Sequence, residues 1–360
     1  MIKICFFIHN IAGHGGTEKI CTALANELAL LPDYNVSILS LENFDIPFFS
    51  VNPQIEISSL KFSNSDIRKD YFKVISKYRK YLKANAIDIV VDVDIILSAI
   101  SIPATTGIKT KVISWEHYNF FSKNNSFIRK ISRKLAPKYS YCVVTLTEED
   151  VLNYQNNVKC RRPIVCIPNF LSSMPDKTAN LESKIVLSIG HLVHGKGFDL
   201  LLEIWNSISS SVRNGWELHI VGSGEEEDNI LKYIEKHELS DSVKILPPTP
   251  TIQENYSQAS VFAFTSRAEG FPLVLIEALS FGLPTISFNC STGPSEIIQN
   301  NIDGFLIQTF EIKPFAEKLS LLISDEQLRK EMGKNAIMGV ERFSKEKIVE
   351  KWQEALDGTG

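Results

Sequence analysis

The chain has 360 residues, of which 44% are hydrophobic and 22% charged, a composition that is ordinary for a globular protein of about two domains. No apolar run is long enough to span a bilayer, and the short apolar stretch at the N-terminus predicts a first strand instead of a signal peptide. The six cysteines are scattered without a Cys-x-x-Cys pair, which favours reduced, mostly buried thiols in a cytoplasmic protein over a zinc or disulfide site.

The charge is unevenly distributed along the chain, although its net value is only −4. Residues 1–170 contain 21 Lys and Arg against 15 Asp and Glu, a net charge of +6, and residues 171–360 have a net charge of −10. A basic first half indicates an anionic partner, for which lipid and nucleic acid are the alternatives. No strand motif with stacking aromatic residues accompanies the charge, so we expect no nucleic acid.

Apolar runs typical of buried strands alternate with amphipathic stretches along the whole chain. In the first half the apolar runs are residues 3–9, 35–41, 86–93, 110–116, 141–147 and 163–169. In the second half they are residues 184–190, 216–222, 243–248, 260–266, 284–289 and 304–308. Helical spacing occurs between them at residues 17–30, 67–84, 198–211, 224–238, 272–281 and 325–341. This alternation predicts parallel sheets with helices on both faces.

The pattern restarts after residues 170–183, a polar stretch that contains proline and has no periodicity, so we interpret it as a linker. We therefore predict an α/β protein with two tandem Rossmann-like domains at residues 1–170 and 171–343. A C-terminal helix over 344–360 is expected to pack toward the first domain. Ligands of such sheets bind beyond the carboxyl ends of the strands, so the cleft between two such domains is the expected site.

Four glycine-containing turns follow predicted strands and are candidates for holding phosphate, at residues 12–19, 188–201, 221–227 and 269–279. Any one of them alone is more often structural. The first and third do not complete a dinucleotide fingerprint, because Glu18 and Glu227 stand where the last glycine belongs. The second has the spacing of a P-loop up to Lys196, but Gly197 replaces the hydroxyl residue that would hold Mg²⁺.

An Asp-x-Asp pair, Asp92 and Asp94, ends one of the predicted strands. Such a pair binds a metal–diphosphate in one unrelated class of sugar transferases. At the end of a buried strand, a structural or capping role is the interpretation we favour.

The turn at 269–279 is the most informative. Glu269 lies in the loop before a predicted helix, and Glu277 lies about one and a half turns inside it, with Pro272 in the first turn. The backbone N–H groups of Gly270 and Phe271 and those after Pro272 can bind a ligand, and a helix N-terminus favours an anion. The set suits a ligand with hydroxyls and phosphates, such as a sugar nucleotide. A capping Glu269 with a solvated Glu277 is the open alternative.

The stretch SRAEGFPLVLIEALSFGLP resembles the E-x7-E signature of the retaining glycosyltransferases of family 4, which have the GT-B fold. The resemblance continues through GPSEII and NIDGFLI and extends back to GHLVHGKG, VGSG, IPN and GGTE, in the family's order along nearly the whole chain. It implies a GT-B fold with an acceptor-binding domain at 1–170 and a nucleotide-sugar-binding domain at 171–343, facing a cleft between them.

The resemblance also implies catalytic roles. Glu269 would lie beside the donor hexose, and Lys196 would neutralise the diphosphate as it leaves. His117 matches a histidine that reaches the sugar from the first domain, although a lone histidine is usually structural.

The implied donor contacts extend over both domains. Gly15 and Gly16 would let the first loop close over the phosphates, and Glu277 would bind the ribose hydroxyls. The full donor-binding set comprises Gly15, Gly16, His191, Gly222, Gly224, Arg267, Gly270, Phe271, Leu273, Val274 and Glu277. His191 departs from the family, which commonly has Arg there, and a neutral imidazole is a weaker phosphate clamp. Either the diphosphate protonates His191, or Arg267 or His194 supplies the missing cation.

The resemblance implies transfer of a hexose or N-acetylhexosamine from a nucleotide-diphosphate sugar, expected to be a UDP-sugar, with retention and without an essential metal or other cofactor. A sugar-nucleotide epimerase, a glycan phosphorylase and a non-catalytic binding protein with a decayed site are the alternatives.

Two basic segments in the first half bear on the acceptor. Residues 67–84 have the pattern of a surface helix that packs its apolar stripe inward, the interpretation we favour there. Residues 126–135 set Phe127, Ile131 and Leu135 against four cations, Arg129, Lys130, Arg133 and Lys134. Together the segments predict contact with anionic lipid. We expect a cytoplasmic enzyme, peripheral on the inner face of the cytoplasmic membrane. It would extend a polyprenyl-diphosphate-linked oligosaccharide for a bacterial surface polysaccharide such as O-antigen or capsule.

Overall fold

The computed structural model describes residues 1–62, 69–122, 127–249 and 251–358. They divide into two compact units, one formed by Met1–Asn169 and Glu346–Gly360 and the other by Phe170–Lys345. Each unit contains one parallel sheet whose strands alternate with helices along the chain, which confirms the predicted α/β class.

In its described residues, the first unit forms a seven-stranded parallel sheet of order β3-β2-β1-β4-β5-β6-β7. The strands are β1 Ile2–Ile8, β2 Tyr34–Glu42, β3 Glu56–Phe62, β4 Ile89–Val93, β5 Lys111–Trp115, β6 Cys142–Thr145 and β7 Ile164–Cys166. The helices between them are α1 Gly16–Ala29, α2 Tyr71–Ala84, α3 Ser98–Thr105, α4 Phe127–Tyr139 and α5 Glu148–Asn157.

The described part of the second unit forms a six-stranded parallel sheet of order β10-β9-β8-β11-β12-β13. The strands are β8 Ile185–Ile189, β9 Glu217–Val221, β10 Val243–Leu246, β11 Val261–Phe264, β12 Thr285–Asn289 and β13 Gly304–Gln308. The helices are α6 Phe198–Ser207, α7 Glu227–Lys236, α8 Ile252–Gln258, α9 Leu273–Ser280, α10 Pro294–Ile297, α11 Ile312–Ser324, α12 Glu326–Val340 and α13 Lys345–Asp357, of which α13 belongs from Glu346 onward to the first unit.

Strand β3 is the strand that the apolar pattern did not predict. It lies at the edge of the first sheet, and only two of its seven residues are buried. An edge strand needs less apolar sequence than a central one, so EISSLKF carries no clear run.

The strand order places two loops side by side in the second unit. The order reverses between β8 and β11, which pair directly through Val186 and Val261. Ligands of open parallel sheets bind at such a reversal, beyond the carboxyl ends of the strands. The loop after β8 contains Lys196 and the loop after β11 contains Glu269, so the topology brings the predicted site residues to this edge.

Helix α2 confirms the favoured interpretation of residues 71–84, because Val74, Tyr78 and Leu82 are buried in the first unit while its lysines are exposed. Residues 67 and 68 of the predicted segment lie outside the described residues. No helix in the described part of the chain combines the length and the apolar character needed to cross a bilayer.

Helix α4 buries its two arginines, which we predicted to be exposed. Arg129 and Arg133, which we expected among the lipid-facing cations, are buried and lie 3.2 and 2.7 Å from the carboxylate of Glu116. Arg129 also donates two hydrogen bonds of 2.7 Å to Asp94. The prediction is wrong for these two residues because the carboxylates that follow β4 and β5 compensate their burial. Ser126, the first residue of the predicted segment, lies outside the described residues.

The Asp92 and Asp94 pair has the structural role favoured over metal binding. Asp94 accepts a hydrogen bond of 3.1 Å from the backbone N–H of Ile96 and so caps the turn after β4. Asp92 is fully buried and accepts a hydrogen bond from the hydroxyl of Ser101. Burial raises the pKa of the Asp92 carboxyl well above its usual range, which favours the neutral acid.

Candidate functional site

The loop after β8 ends in a single 3-10 turn, His194–Lys196, followed by Gly197. Gly197 has a φ of 69°, and a Cβ at this position would lie 2.1 Å from the carbonyl oxygen of Thr265. Glycine is therefore needed here both for the left-handed backbone and for the close approach of the loop to the end of β11. This packing accounts for the glycine that stands where a P-loop has its hydroxyl residue.

Two predicted catalytic residues meet at the carboxyl edge of β8 and β11. The Lys196 Nζ lies 2.7 Å from Oε1 of Glu269, which joins the loop after β8 to the loop after β11. The two side chains are 29% and 13% exposed, so the pair remains accessible to a ligand. A cation and a carboxylate are thus held together at one end of the sheet.

Arg267 is held by Asp199 through two hydrogen bonds, of 2.8 Å (Nη1–Oδ1) and 2.6 Å (Nη2–Oδ2). Its Nη1 also donates to the carbonyl oxygen of His194 at 2.6 Å. Burial opposes ionisation of Asp199, but the hydrogen bonds and the charge of Arg267 lower the pKa of its carboxyl. Arg267 therefore braces the turn that carries Lys196, whereas His191 and His194 are exposed.

Glu277 lies on α9 and accepts a hydrogen bond of 2.9 Å from the hydroxyl of Tyr256. Tyr256 is buried, and burial together with the charge of Glu277 raises the pKa of its phenol well above the usual range. A permanent donor thus holds the Glu277 carboxylate, so the alternative of a freely solvated Glu277 is wrong. Nothing in the pattern of α8 indicated Tyr256 as a site residue.

Pro272, the residue before α9, supplies no side-chain cap to the N-terminus of this helix. Pro272 precedes the helix, Gly270 and Phe271 form the loop before it, and Leu273 and Val274 begin its first turn. The Glu269 carboxylate binds Lys196 instead of capping this helix, so the capping alternative is also wrong. Four predicted donor contacts thus surround the helix N-terminus, a position that favours an anion.

Thr292 supports the loop that carries Glu269, although no sequence pattern indicated it as a site residue. Its hydroxyl donates to the carbonyl oxygen of Glu269 at 2.8 Å and lies 3.4 Å from that of Gly270. Thr292 is buried at a φ of 58°, which is strained for a β-branched residue. Gly293 follows at a φ of 94°, where a Cβ would lie 2.7 Å from Cδ of Pro272. The only hint in the sequence was the GPSEII motif directly after Thr292.

Gly222 and Gly224 permit close backbone packing between the loops after β8 and β9. A Cβ on Gly222 would lie 1.9 Å from the carbonyl oxygen of Gly190, and one on Gly224 would lie 2.4 Å from that of Leu192. The backbone N–H of Leu192 donates a hydrogen bond of 2.9 Å to the carbonyl oxygen of Ser223, which joins the same loops. Both glycines therefore support the segment that contains His191.

Three predicted site residues belong to the first unit. Gly15 and Gly16 begin α1, where a Cβ on Gly15 would lie 2.7 Å from Oε2 of Glu18. The Glu18 carboxylate thus lies against the glycine-rich loop, and its charge would repel a phosphate that entered there. The glycine-rich loop is therefore less accessible to a phosphate than we expected, because the Glu18 side chain lies against it.

His117 follows β5 and is buried, with its ring centroid 4.3 Å from that of Trp115. Its Nε2 has no hydrogen-bond partner within the described residues. Burial lowers the pKa of its imidazole from 6.5 to about 4, so His117 is neutral at pH 7. Trp115 packs in turn on Trp352 of α13, at 4.7 Å between ring centroids.

The sequence is similar to those of known glycosyltransferases over its whole length. A model of the family Glycosyl transferases group 1 matches residues 171–338. An uncharacterized glycosyltransferase of Haemophilus influenzae is 36% identical over 99% of this chain and 100% of its own length. The amylovoran biosynthesis glycosyltransferase AmsD of Erwinia amylovora is 30% identical over 99% of this chain and 100% of its own.

Solved structures share the fold. The lipopolysaccharide outer core galactosyltransferase WaaB, in its apo form, superposes with a TM-score of 0.81 over 100% of both chains at 21% identity. HepE of Anabaena, crystallised in complex with UDP, gives a TM-score of 0.80 over 99% of this chain and 100% of its own at 17% identity. These similarities, with the two parallel sheets, confirm the predicted GT-B fold.

Proposed function

The chain belongs to the group 1 glycosyltransferases, and from this premise we propose that it transfers a sugar with retention of the anomeric configuration. The sugar would be a hexose or N-acetylhexosamine from a nucleotide-diphosphate sugar, with a UDP-sugar as the preferred donor. The acceptor would be a lipid-linked oligosaccharide. The observation that carries the proposal is the Lys196–Glu269 pair beside the N-terminus of α9. A cation and the N–H groups at a helix N-terminus suit a diphosphate, and a neighbouring carboxylate suits sugar hydroxyls.

The residues of the second unit would act on the departing nucleotide. Lys196 would exchange its contact with Glu269 for the diphosphate and neutralise the charge that develops there. Glu269 would then be available to the hexose, and Glu277, held by Tyr256, would accept hydrogen bonds from the ribose. In the retaining reaction the bond between C1 and the diphosphate oxygen breaks, the acceptor oxygen bonds C1 on the same face, and its proton passes to the departing phosphate.

The first unit would bind the acceptor, and its predicted site residues would also contact the donor. His117 is neutral and buried with an unpartnered Nε2 in the described part of the chain, so it is suited to a hydrogen bond with a sugar hydroxyl. Gly15 and Gly16 would contact the phosphates only after the Glu18 side chain moves away from the loop. Glu18 would therefore control the access of the phosphates to these two glycines.

The names of the relatives support an acceptor in bacterial surface polysaccharide synthesis. AmsD is named for amylovoran biosynthesis. A Campylobacter jejuni relative, 28% identical over 98% of this chain and 97% of its own length, is named an N-acetyl-D-galactosaminyltransferase that acts on a glycan linked to undecaprenol through PP. For this chain we infer a polyprenyl-diphosphate-linked acceptor in O-antigen or capsule synthesis, used at the inner face of the cytoplasmic membrane.

A donor screen by nucleotide release, followed by transfer to a polyprenyl-diphosphate glycan, tests the proposal. We expect one UDP-sugar to be used, with roughly a hundredfold loss for Glu269→Gln and Lys196→Ala. Glu235→Gln and Lys232→Ala, two exposed positions on α7, serve as matched controls. The anomeric proton coupling of the product reports retention, and the rate should be unchanged in excess EDTA. Epimer exchange, phosphorolysis or binding without turnover would each overturn the proposal in favour of the corresponding alternative.

A further inference from the structure

The structure points to a membrane-docking face on helix α4, and we propose that this face inserts its apolar side chains into an anionic lipid bilayer. We define the α4 patch as Phe127, Ile128 and Ile131 together with Lys130 and Lys134. Its apolar members are exposed by 78%, 40% and 37% in that order. The inference rests on the proposed function only in that a lipid-linked acceptor requires a membrane.

The outward setting of the patch follows from the opposite face of α4. That face buries Arg129, Ser132, Arg133, Ala136 and Pro137. Asp94 and Glu116 bind the two arginines, and the hydroxyl of Tyr154 donates to Glu116 at 2.8 Å. Turning the helix to bury its apolar residues would leave those buried carboxylates without their cations, which is strongly unfavourable. The ion pairs therefore hold Phe127 and Ile131 in solvent.

The patch lies at the functional edge of the first sheet. Helix α4 follows β5, whose carboxyl end leads directly to His117. Phe127, Ile128 and Ile131 occupy the first turns of α4. Ligands reach such a sheet at this edge, so a bilayer at the patch would present its acceptors on the side where His117 lies.

The occupant that suits the patch is an anionic bilayer. Lys130 and Lys134 are exposed and stand three and seven residues after Phe127, on the same side of the helix. Lysines beside a row of aromatic and aliphatic residues can extend to the headgroups while the apolar side chains enter the acyl boundary. The +6 charge of residues 1–170 adds attraction to anionic lipid. On helix α2 the stripe of Val74, Tyr78 and Leu82 is buried, and Phe72 alone among its large apolar side chains is exposed, so α2 has no row of apolar residues comparable to the α4 patch.

A tryptophan probe tests insertion directly. The four native tryptophans, Trp115, Trp205, Trp216 and Trp352, are at most 6% exposed, so lipid should leave their emission unchanged. We expect the emission of the Phe127→Trp tryptophan to shift to shorter wavelengths when vesicles of phosphatidylglycerol and phosphatidylethanolamine are added. Brominated acyl chains in these vesicles should quench that emission. Phe310→Trp, at a position of the second unit that is 58% exposed, is the matched control and should not respond. An unquenched Phe127→Trp would overturn the proposal.

Sedimentation with the same vesicles separates insertion from simple attraction. We expect Phe127→Ser with Ile131→Ser to lower the partition coefficient about tenfold at every salt concentration. Lys130→Gln with Lys134→Gln should lower it most at low salt. Neutral phosphatidylcholine vesicles should bind the wild type weakly. If the serine variant sedimented like the wild type, or if it converted a dimer into a monomer in solution, the face would not be a lipid contact.

Two acceptors distinguish failure of this inference from failure of the proposed function. With a short-chain, water-soluble acceptor, the Phe127→Ser and Ile131→Ser variant should match the wild type. With the same glycan on a full-length polyprenyl chain in vesicles, it should be about tenfold slower, in line with its weaker partitioning. A wild type that binds vesicles but transfers to neither acceptor would refute the proposed function alone. Equal rates for variant and wild type on vesicles would refute the docking face.

Discussion

At the scale of single residues, Thr292 shows how the site is held in place. Its backbone is strained, and its hydroxyl binds the peptide that carries Glu269. We expect Thr292→Ala to lower kcat about fivefold while the KM for the donor changes little, because one neutral hydrogen bond contributes about 1 kcal/mol. Thr292→Ser keeps the hydroxyl and should retain most of the activity. A kcat of the alanine variant equal to that of the wild type would show that the hydroxyl does not position Glu269.

His117 makes a second residue-scale prediction, on stability against pH. Its pKa is lowered to about 4 in the folded chain, so the unfolded chain binds the proton first as the pH falls below 6.5. Stability should therefore decline from pH 6.5 toward pH 4, by about 3 kcal/mol for this group. Denaturant unfolding of the wild type and His117→Gln at pH 7 and pH 4.5 measures it. The difference between the two proteins should shift in favour of the variant at the lower pH, and parallel pH profiles would contradict the assignment.

At the scale of elements, the turn that carries Lys196 depends on the pairing of α6 with the loop after β11 through Asp199 and Arg267. If Arg267 is a brace, Asp199→Asn and Arg267→Ala should each lower kcat/KM for the donor about tenfold, and the double variant should lose no more than either alone. If Arg267 instead binds the diphosphate directly, Asp199→Asn should release the Arg267 guanidinium, and the affinity for the donor should stay the same or rise. Donor kinetics of the three variants decide between the two roles.

The same elements show how far the sequence could predict this site. Apolar runs in the sequence identify the buried parallel strands. The loops after β8 and β11, which contain Lys196 and Glu269, could therefore be placed at one edge of the second sheet. Tyr256, Thr292 and Asp199 could not be found, because each acts through a contact distant in sequence that leaves no local pattern. Helical spacing grouped the residues of α4 by face, but the buried side was decided by the carboxylates that follow β4 and β5.

At the scale of the whole molecule, the donor contacts are unequally divided between two units with separate sheets and cores. All predicted donor residues except Gly15 and Gly16 belong to Phe170–Lys345. That unit buries its own cluster around Trp205, Phe288 and Phe315, so it has the packing of an independently folding domain. We therefore expect the fragment 170–345 to unfold cooperatively and to bind UDP. Its affinity for UDP should lie within about tenfold of that of the whole chain, because Gly15 and Gly16, beside Glu18, add little to the binding free energy.

Thermal unfolding by circular dichroism and titration calorimetry with UDP check this expectation on the fragment. Lys196→Ala in the fragment should weaken UDP binding as much as it does in the whole chain, because its partner Glu269 lies in the same unit. The fragment should transfer no sugar, since His117 is absent from it. A folded fragment that does not bind UDP, while the whole chain does, would move essential donor contacts into the first unit. Glu18 would then be the residue to examine, because Glu18→Gln should ease phosphate entry to the loop at Gly15.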